Sequence, residues 1–268
     1  MVLKLIMLGT GNAAVTECYN SCFVLAEGEN YFLINGGGGS TVLRQLKYAG
    51  VNWKDIKNIF VTHKHIDHLM GVIWMIRMIC QEMHQNNYEG EVKVYAHEEV
   101  IEVIYDISHM VLHEMETKFI GKRVHLIPVY NGEKRFIIGH KTTFFDIYST
   151  KAKQFGFSVD LGNGEKLTCC GDEPYHKYER EFVENSKWLM HDAYCLYSEA
   201  EEFGPYEKTH STVKEASELA ETMNVKNLIL YHTEDKNIKN RKELYKEEGA
   251  QYFKGNILVP DDLETIEL

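Results

Sequence analysis

The stretch Val61-Thr62-His63-Lys64-His65-Ile66-Asp67-His68-Leu69-Met70-Gly71 packs three imidazoles and one carboxylate into the six positions from His63 to His68. It follows Asn58-Ile59-Phe60-Val61, an apolar run that reads as a strand. A strand turns successive side chains to opposite faces, so its end delivers His63 and His65 to one side. Asp67 and His68 then fall where the chain turns into a helix. Imidazole nitrogen and carboxylate oxygen are the ligands that first-row cations such as zinc prefer, and this many in one turn can serve two ions. A surface histidine cluster is the bland alternative, and it would not combine ligand spacing with a strand-to-helix context.

The rest of the chain supplies many strands for such a motif to sit on. Period-2 or continuously apolar runs predict strands near 2–8, 22–26, 30–34, 58–61, 92–95, 123–128, 133–138, 142–149, 155–160, 166–170, 188–191, 226–230 and 255–258. Helices are predicted over 39–49, 67–85, 98–115, 176–184, 211–223 and 239–249, the fifth opening on a capping box of Thr212 and Glu215. Helices spread between strands suit a sheet-on-sheet core with helices on its outer faces. No linker rich in Pro, Gly or Ser and no internal repeat is visible, so 1–268 is expected to form a single domain with helical decoration around 77–122.

Bulk properties narrow the function. A formal net charge of -11 disfavours a sequence-independent grip on nucleic acid. The apolar opening Met1 to Leu8 runs into Gly9-Thr10-Gly11-Asn12, too short for a signal h-region or a membrane span, so the expected location is cytoplasmic with no membrane partner. Six cysteines without C-x-x-C spacing are expected to be free thiols.

His63, His65, Asp67 and His68 match in full the H-x-H-x-D-H motif of the metallo-β-lactamase superfamily, which the chain therefore resembles. Leu8-Gly9-Thr10-Gly11-Asn12 resembles the opening of its ribonuclease Z-like branch. The resemblance implies an α/β fold, the four-layer αββα sandwich, and a hydrolase using one or two divalent transition-metal ions. Zinc leads, with iron or manganese compatible. Cys170-Gly171-Asp172-Glu173-Pro174 looks like the family segment whose aspartate bridges two metals, which implies Asp172 in that role. Leu228-Ile229-Leu230-Tyr231-His232 looks like the strand that ends in the last ligand, here His232. Leu189-Met190-His191-Asp192-Ala193 and Thr209-His210-Ser211-Thr212 resemble the H-E-A and H-S-T segments, which implies that His210 protonates the leaving oxygen and that Asp192 orients it.

Three positions depart from the family pattern. Tyr148 stands where a histidine binds the first metal; His140, the nearest alternative, lies roughly eight residues out of register. A phenol must lose a proton to ligate well, so the first site should be weaker or altered. Asn35 stands where the family has an orienting aspartate, and Asp192 replaces a glutamate. The implied activity is that of a phosphodiesterase acting through a metal-bound hydroxide on a small phosphodiester, with Asp67 holding the water. Ribonuclease Z-like 3′-processing of RNA is an alternative. The stretch from Tyr148 to Asp172 leaves no room for an RNA-gripping arm, and Glu82, Glu89, Glu91, Glu98, Glu99, Glu102, Glu114 and Glu116 make residues 77–122 acidic. A metal-binding pseudo-enzyme with an impaired first site is the third reading. Homodimers occur in the resembled branch.

Overall fold

Side-chain alternation along the first strand shows how the layers arise. In β1 (Lys4–Gly9) Leu5 and Met7 enter one apolar cluster, whereas Ile6 and Leu8 enter another on the opposite face. β2 (Cys22–Glu27) repeats this, with Phe23 and Leu25 on the first side and Cys22, Val24 and Ala26 on the second. Both faces of the sheet are thus covered, which is why these strands are apolar throughout. The structure is a computed structural model and describes residues 2–268.

The first sheet continues with β3 (Asn30–Ile34), β4 (Ile56–Phe60), β5 (Val92–Ala96) and β6 (Val124–Pro128). The second is built from β7 (Lys134–Ile137), β8 (His140–Asp146), β9 (Phe155–Gly162), β10 (Glu165–Cys169), β11 (Trp188–Asp192), β12 (Asn227–Tyr231) and β13 (Asn256–Leu258). A last strand, β14 (Thr265–Glu267), closes the edge of the first sheet against β1. The two orders are β14-β1-β2-β3-β4-β5-β6 and β13-β12-β11-β10-β9-β8-β7. Each sheet starts as an antiparallel meander, β1 to β3 or β7 to β10, and goes on with parallel strands, β3 to β6 or β10 to β13. The halves therefore echo each other in topology without a visible sequence repeat.

Between the sheets lies an aromatic core. The ring of Phe157 sits 6.3, 6.1 and 5.7 Å from those of Phe23, Phe32 and Phe60. Outside the first sheet lie α1 (Thr41–Tyr48), α2 (Ile66–His84), α3 (Glu98–Val111) and the short α4 (Glu114–Thr117); Val42, Leu46, Val72, Ile76, Val100 and Ile104 face the sheet. Beyond the second lie α5 (Arg180–Val183), α6 (Ala200–Phe203), α7 (Val213–Thr222) and α8 (Arg241–Gly249), with Val183, Val213, Ala216, Ala220 and Tyr245 turned inward. The architecture is the expected helix–sheet–sheet–helix sandwich.

Local differences have local causes. The helix expected over 98–115 breaks after Val111, because Leu112 and His113 are extended and Glu116 caps a new turn by accepting from the His113 N–H at 3.0 Å. The helix expected over 176–184 begins as a 3-10 turn, Lys177–Glu179. β14 has only three residues, too few for a periodic signal, and is held by pairing with Lys4–Ile6. The capping box of α7 forms as expected, Thr212 N–H donating to Glu215 at 2.9 Å. All six cysteines are free, and all but Cys18 are buried. Among the described residues no helix is long and apolar enough to cross a membrane.

Candidate metal centre

The predicted ligands come together at the carboxyl ends of parallel strands, the usual place for a site in a sheet of this kind. β4 leads into His63, β10 into Asp172, β12 into His232, β11 ends on Asp192 and β3 leads into Asn35. The loop after β4 is pinned between the sheets: Val61 N–H donates to Tyr95 O at 2.9 Å, and Phe155 N–H, from the second sheet, donates to Thr62 O at 3.0 Å. His65 is the extended residue that caps α2, so Asp67 and His68 occupy the helix's first turn. Two glycines let this turn approach β3. Gly36 N–H donates to His68 O at 2.8 Å and Gly71 N–H to Gly37 O at 2.9 Å. A Cβ on Gly71 would lie 1.8 Å from Gly36 O.

One oxygen organises the cluster. Asp172 Oδ2 lies 3.6 Å from His63 Nε2, 3.3 Å from His68 Nε2 and 3.4 Å from His232 Nε2. Asp67 Oδ2 is 3.1 Å from His68 Nε2 and 3.6 Å from His232 Nε2. His65 stands beside them, its Nδ1 2.8 Å from His63 Nε2. Three overlapping sets of potential ligands result, His63–His65–Asp172, Asp67–His68–His232 and Asp172–His210–His232.

The spacing is that of ligands around a cation. Ligand atoms about 2.0–2.2 Å from a tetrahedral ion stand roughly 3.3–3.6 Å apart. His68 Nε2 and both ring nitrogens of His232 are buried without a hydrogen-bond partner, although carboxylate oxygens stand at these distances. Orphaned buried polar atoms are rare and call for an explanation such as an ion. A divalent cation supplies one, so the residues present fit a metal.

Electrostatics agree. Burial works to raise Asp67, Asp172 and Asp192, yet the facing imidazoles outweigh it and hold all three carboxyls below their usual range. Burial lowers His63 and His65 despite the attraction of Asp172. For His232 burial works downward, but Asp192, Asp67 and Asp172 together carry it well above the usual value. Three ionised carboxylates in one buried pocket require positive partners.

Beside the cluster Asp192 joins two histidines. His210 Nδ1–H donates to its Oδ2 at 3.2 Å, Ser211 N–H donates to the same oxygen at 2.9 Å, and Oδ1 faces His232 Nδ1 at 3.3 Å. The short aspartate stem therefore still reaches His210. The His210 ring stacks on Tyr194 and lies 5.1 Å from the His232 ring. One of its nitrogens is within 4.8 Å of ligand atoms of Asp172 and His232, so it lies within reach of the metal ligands as well as of Asp192.

Tyr148 occupies the turn after β8 with a left-handed backbone, φ 59°. Its half-exposed ring packs 5.4 Å from His176 and 4.7 Å from Tyr178. His140 opens the same strand, bonded through Nδ1 to Asp160 O at 2.9 Å, so a strand length separates it from Tyr148. Asn35 retains the turn: its Oδ1 accepts from Thr62 N–H at 2.9 Å, and its amide lies 3.0 Å from His68 Nδ1. Sequence reasoning missed Gln154, which donates to Asp172 Oδ1 at 2.6 Å and so turns Oδ2 toward the imidazoles. Its one sequence signal is an amide just before an apolar strand. Gly171, at φ +80°, makes room for it, since a Cβ there would meet Gln154 Nε2 at 2.2 Å.

Residues 3–254 match the family model described as "Anti-Pycsar protein Apyc1". A ribonuclease Z of Archaeoglobus fulgidus is 26% identical over an alignment that covers 100% of this chain and 98% of that protein. Among solved structures, the metallo-β-lactamase fold protein YhfI from Bacillus subtilis superposes with a TM-score of 0.81 at 15% identity, covering 100% of both chains. A diphosphatase from the PhnP family gives 0.74 at 18% identity, covering 100% of this chain and 98% of that one.

Proposed function

Because the chain belongs to the anti-Pycsar protein Apyc1 family and has the metallo-β-lactamase fold, we propose that it is a metal-dependent phosphodiesterase acting on a small phosphodiester. The observation that carries this reading is the position of Asp172 Oδ2, between 3.3 and 3.6 Å from three imidazole nitrogens contributed by the loop after β4, the first turn of α2 and the end of β12. His63, His65 and Asp172 would hold one cation, and Asp67, His68 and His232 with Asp172 a second. When bound, such cations lower the pKa of water toward neutrality and offset charge on phosphoryl oxygens.

The chain's own groups divide the remaining work. Asp67 sits in the first turn of α2, where the helix dipole favours a carboxylate, and it is the acceptor available to orient an attacking water. His210 is the acid: in its doubly protonated form, with Nδ1–H bound to Asp192, it gives the Nε2 proton to the leaving oxygen and is left neutral with its proton on Nδ1. Asp192 keeps that ring orientation and faces His232, so one carboxylate serves both the acid and a ligand.

A small substrate is preferred over RNA because the chain carries a net charge of -11. The loop after β8 also gives way at once to the β9–β10 hairpin, which leaves no protruding arm in that segment. RNA 3′-processing is the second reading, favoured by the ribonuclease Z named among the relatives. Elemental analysis of metal per chain, with turnover of bis-p-nitrophenyl phosphate, a panel of cyclic and linear nucleotides and a precursor transfer RNA, tests both. Metal-dependent turnover of small diesters without cleavage of the RNA is expected. Cleavage of the RNA alone would favour the second reading, and one metal with no turnover at all would indicate a pseudo-enzyme.

A further inference from the structure

Asn35 fixes the direction of a hydrogen-bond chain beneath the ligands. Its Oδ1 receives two donors from Thr62, the backbone N–H at 2.9 Å and Oγ1–H at 3.1 Å. Thr62 Oγ1 in turn lies 3.0 Å from His63 Nδ1. A hydroxyl has one proton, so while it is spent on Asn35, His63 must donate from Nδ1. The proton of neutral His63 then sits on Nδ1, and Nε2, the nitrogen facing Asp172, is free for a metal.

At His68 the same chain runs the other way. The Thr62 backbone N–H is a donor that cannot be reversed, so Asn35 must present oxygen to it and its NH2 group to His68 Nδ1, 3.0 Å away. An NH2 group only donates, so the neutral His68 ring has to accept at Nδ1 and carry its proton on Nε2. Nε2 is the nitrogen directed at Asp67 and Asp172 at 3.1 and 3.3 Å. Ligation there needs the opposite tautomer. Either Nδ1–H then points at an amide donor, or Asn35 turns over and leaves the Thr62 N–H facing NH2 in a buried site. An aspartate would accept from Thr62 on one oxygen and from His68 Nδ1–H on the other, without conflict.

We infer that Asn35 is a positioning residue that selects the metal-refusing tautomer of His68, so that the cation held by His68 is bound more weakly than an aspartate at position 35 would allow. The inference rests on the metal-centre reading above and concerns the polarity of one side-chain amide. Orienting groups beneath a ligand change metal affinity about 10- to 100-fold. Asn35 lies at φ 58°, a left-handed conformation that aspartate also tolerates, so Asn35→Asp is compatible with the backbone.

The test is calorimetric titration of metal-free protein with zinc alone. His68→Ala identifies the step that uses His68, and in Asn35→Asp that step should tighten by about 10- to 100-fold while the other moves little. An unchanged or weakened step would overturn the inference and leave the metal centre standing. Absence of zinc binding in every variant would overturn both. Should Asn35→Asp fail to fold, the wild-type chain supplies a second readout by NMR. In the metal-free chain the neutral His68 ring should carry its proton on Nε2, with Nδ1 bare. The opposite arrangement would refute the account.

Discussion

Replacing Asp192 by asparagine tests the acid chemistry most directly. The carboxylate is fully buried and accepts from His210 Nδ1–H at 3.2 Å and from Ser211 N–H at 2.9 Å, with its other oxygen 3.3 Å from His232 Nδ1. An amide of the same shape has one acceptor and one donor end, so it can serve His210 or His232 but not both. With its oxygen kept for Ser211 and His210, the NH2 group opposes the metal-ready tautomer of His232; reversed, it deprives His210 of its orienter. General acid catalysis is worth about 10²- to 10⁴-fold, and an orienting group beneath a ligand about 10- to 100-fold. At saturating metal the second effect is filled in, and a loss of roughly 10²- to 10³-fold in kcat remains, about 3–4 kcal/mol of barrier. That loss should appear with diesters whose leaving group is an alkoxide, because only these need the proton. p-Nitrophenolate leaves unaided, so bis-p-nitrophenyl phosphate should lose less than about tenfold. Steady-state kinetics on both substrates, with circular dichroism to verify the fold, measure the ratio. Equal losses on the two substrates would refute the assignment of His210 and Asp192 as acid and orienter.

Other perturbations follow from the same geometry. Tyr148→His places an imidazole on a left-handed backbone that histidine accepts, and it should raise zinc affinity at the first site by about tenfold or more; no gain by isothermal titration would mean that the residue's register is wrong or that the phenol already ligates. Gly71→Ala drives a methyl group to 1.8 Å from Gly36 O and should cost about 1–3 kcal/mol, lowering Tm by several degrees in differential scanning calorimetry; an unchanged Tm would show that the contact yields freely. Burial, aided by Asp146 and Glu173, pushes Glu179 up to about 8. The folded chain therefore keeps a proton that the unfolded chain releases above about pH 4.5, so this group's contribution to stability falls as pH rises, by on the order of 4 kcal/mol at pH 8. Denaturant unfolding of Glu179→Gln should lack that decline, and parallel pH profiles for the two proteins would rule out Glu179 as its source.

Much of this was legible in one dimension. Period-2 patterning located β1 to β13, since strands buried on both faces must be apolar throughout, and His63 to His68 lie close enough in the chain for a strand end and a helix start to set their mutual geometry. Gln154 stayed hidden because its importance lies in its 2.6 Å contact with Asp172, eighteen residues on and across a hairpin. Asn35 could be seen as a substitution, but not the direction of its hydrogen bonds, which depends on Thr62 N–H pointing at it from the loop after the neighbouring strand β4. The break in the predicted 98–115 helix is likewise a matter of the Glu116 cap.

By itself, the sequence determined the ligand types, the contiguous part of their spacing and the layers that patterned strands must form. Only the tertiary structure decided that Asp172, Asp192 and His232, from three strands of one sheet, meet Asn35 and the His63–His68 loop from the other. The reason is physical: hydrogen-bond register between strands and the packing of one sheet on another set positions between distant residues, and neither quantity is written locally in the chain.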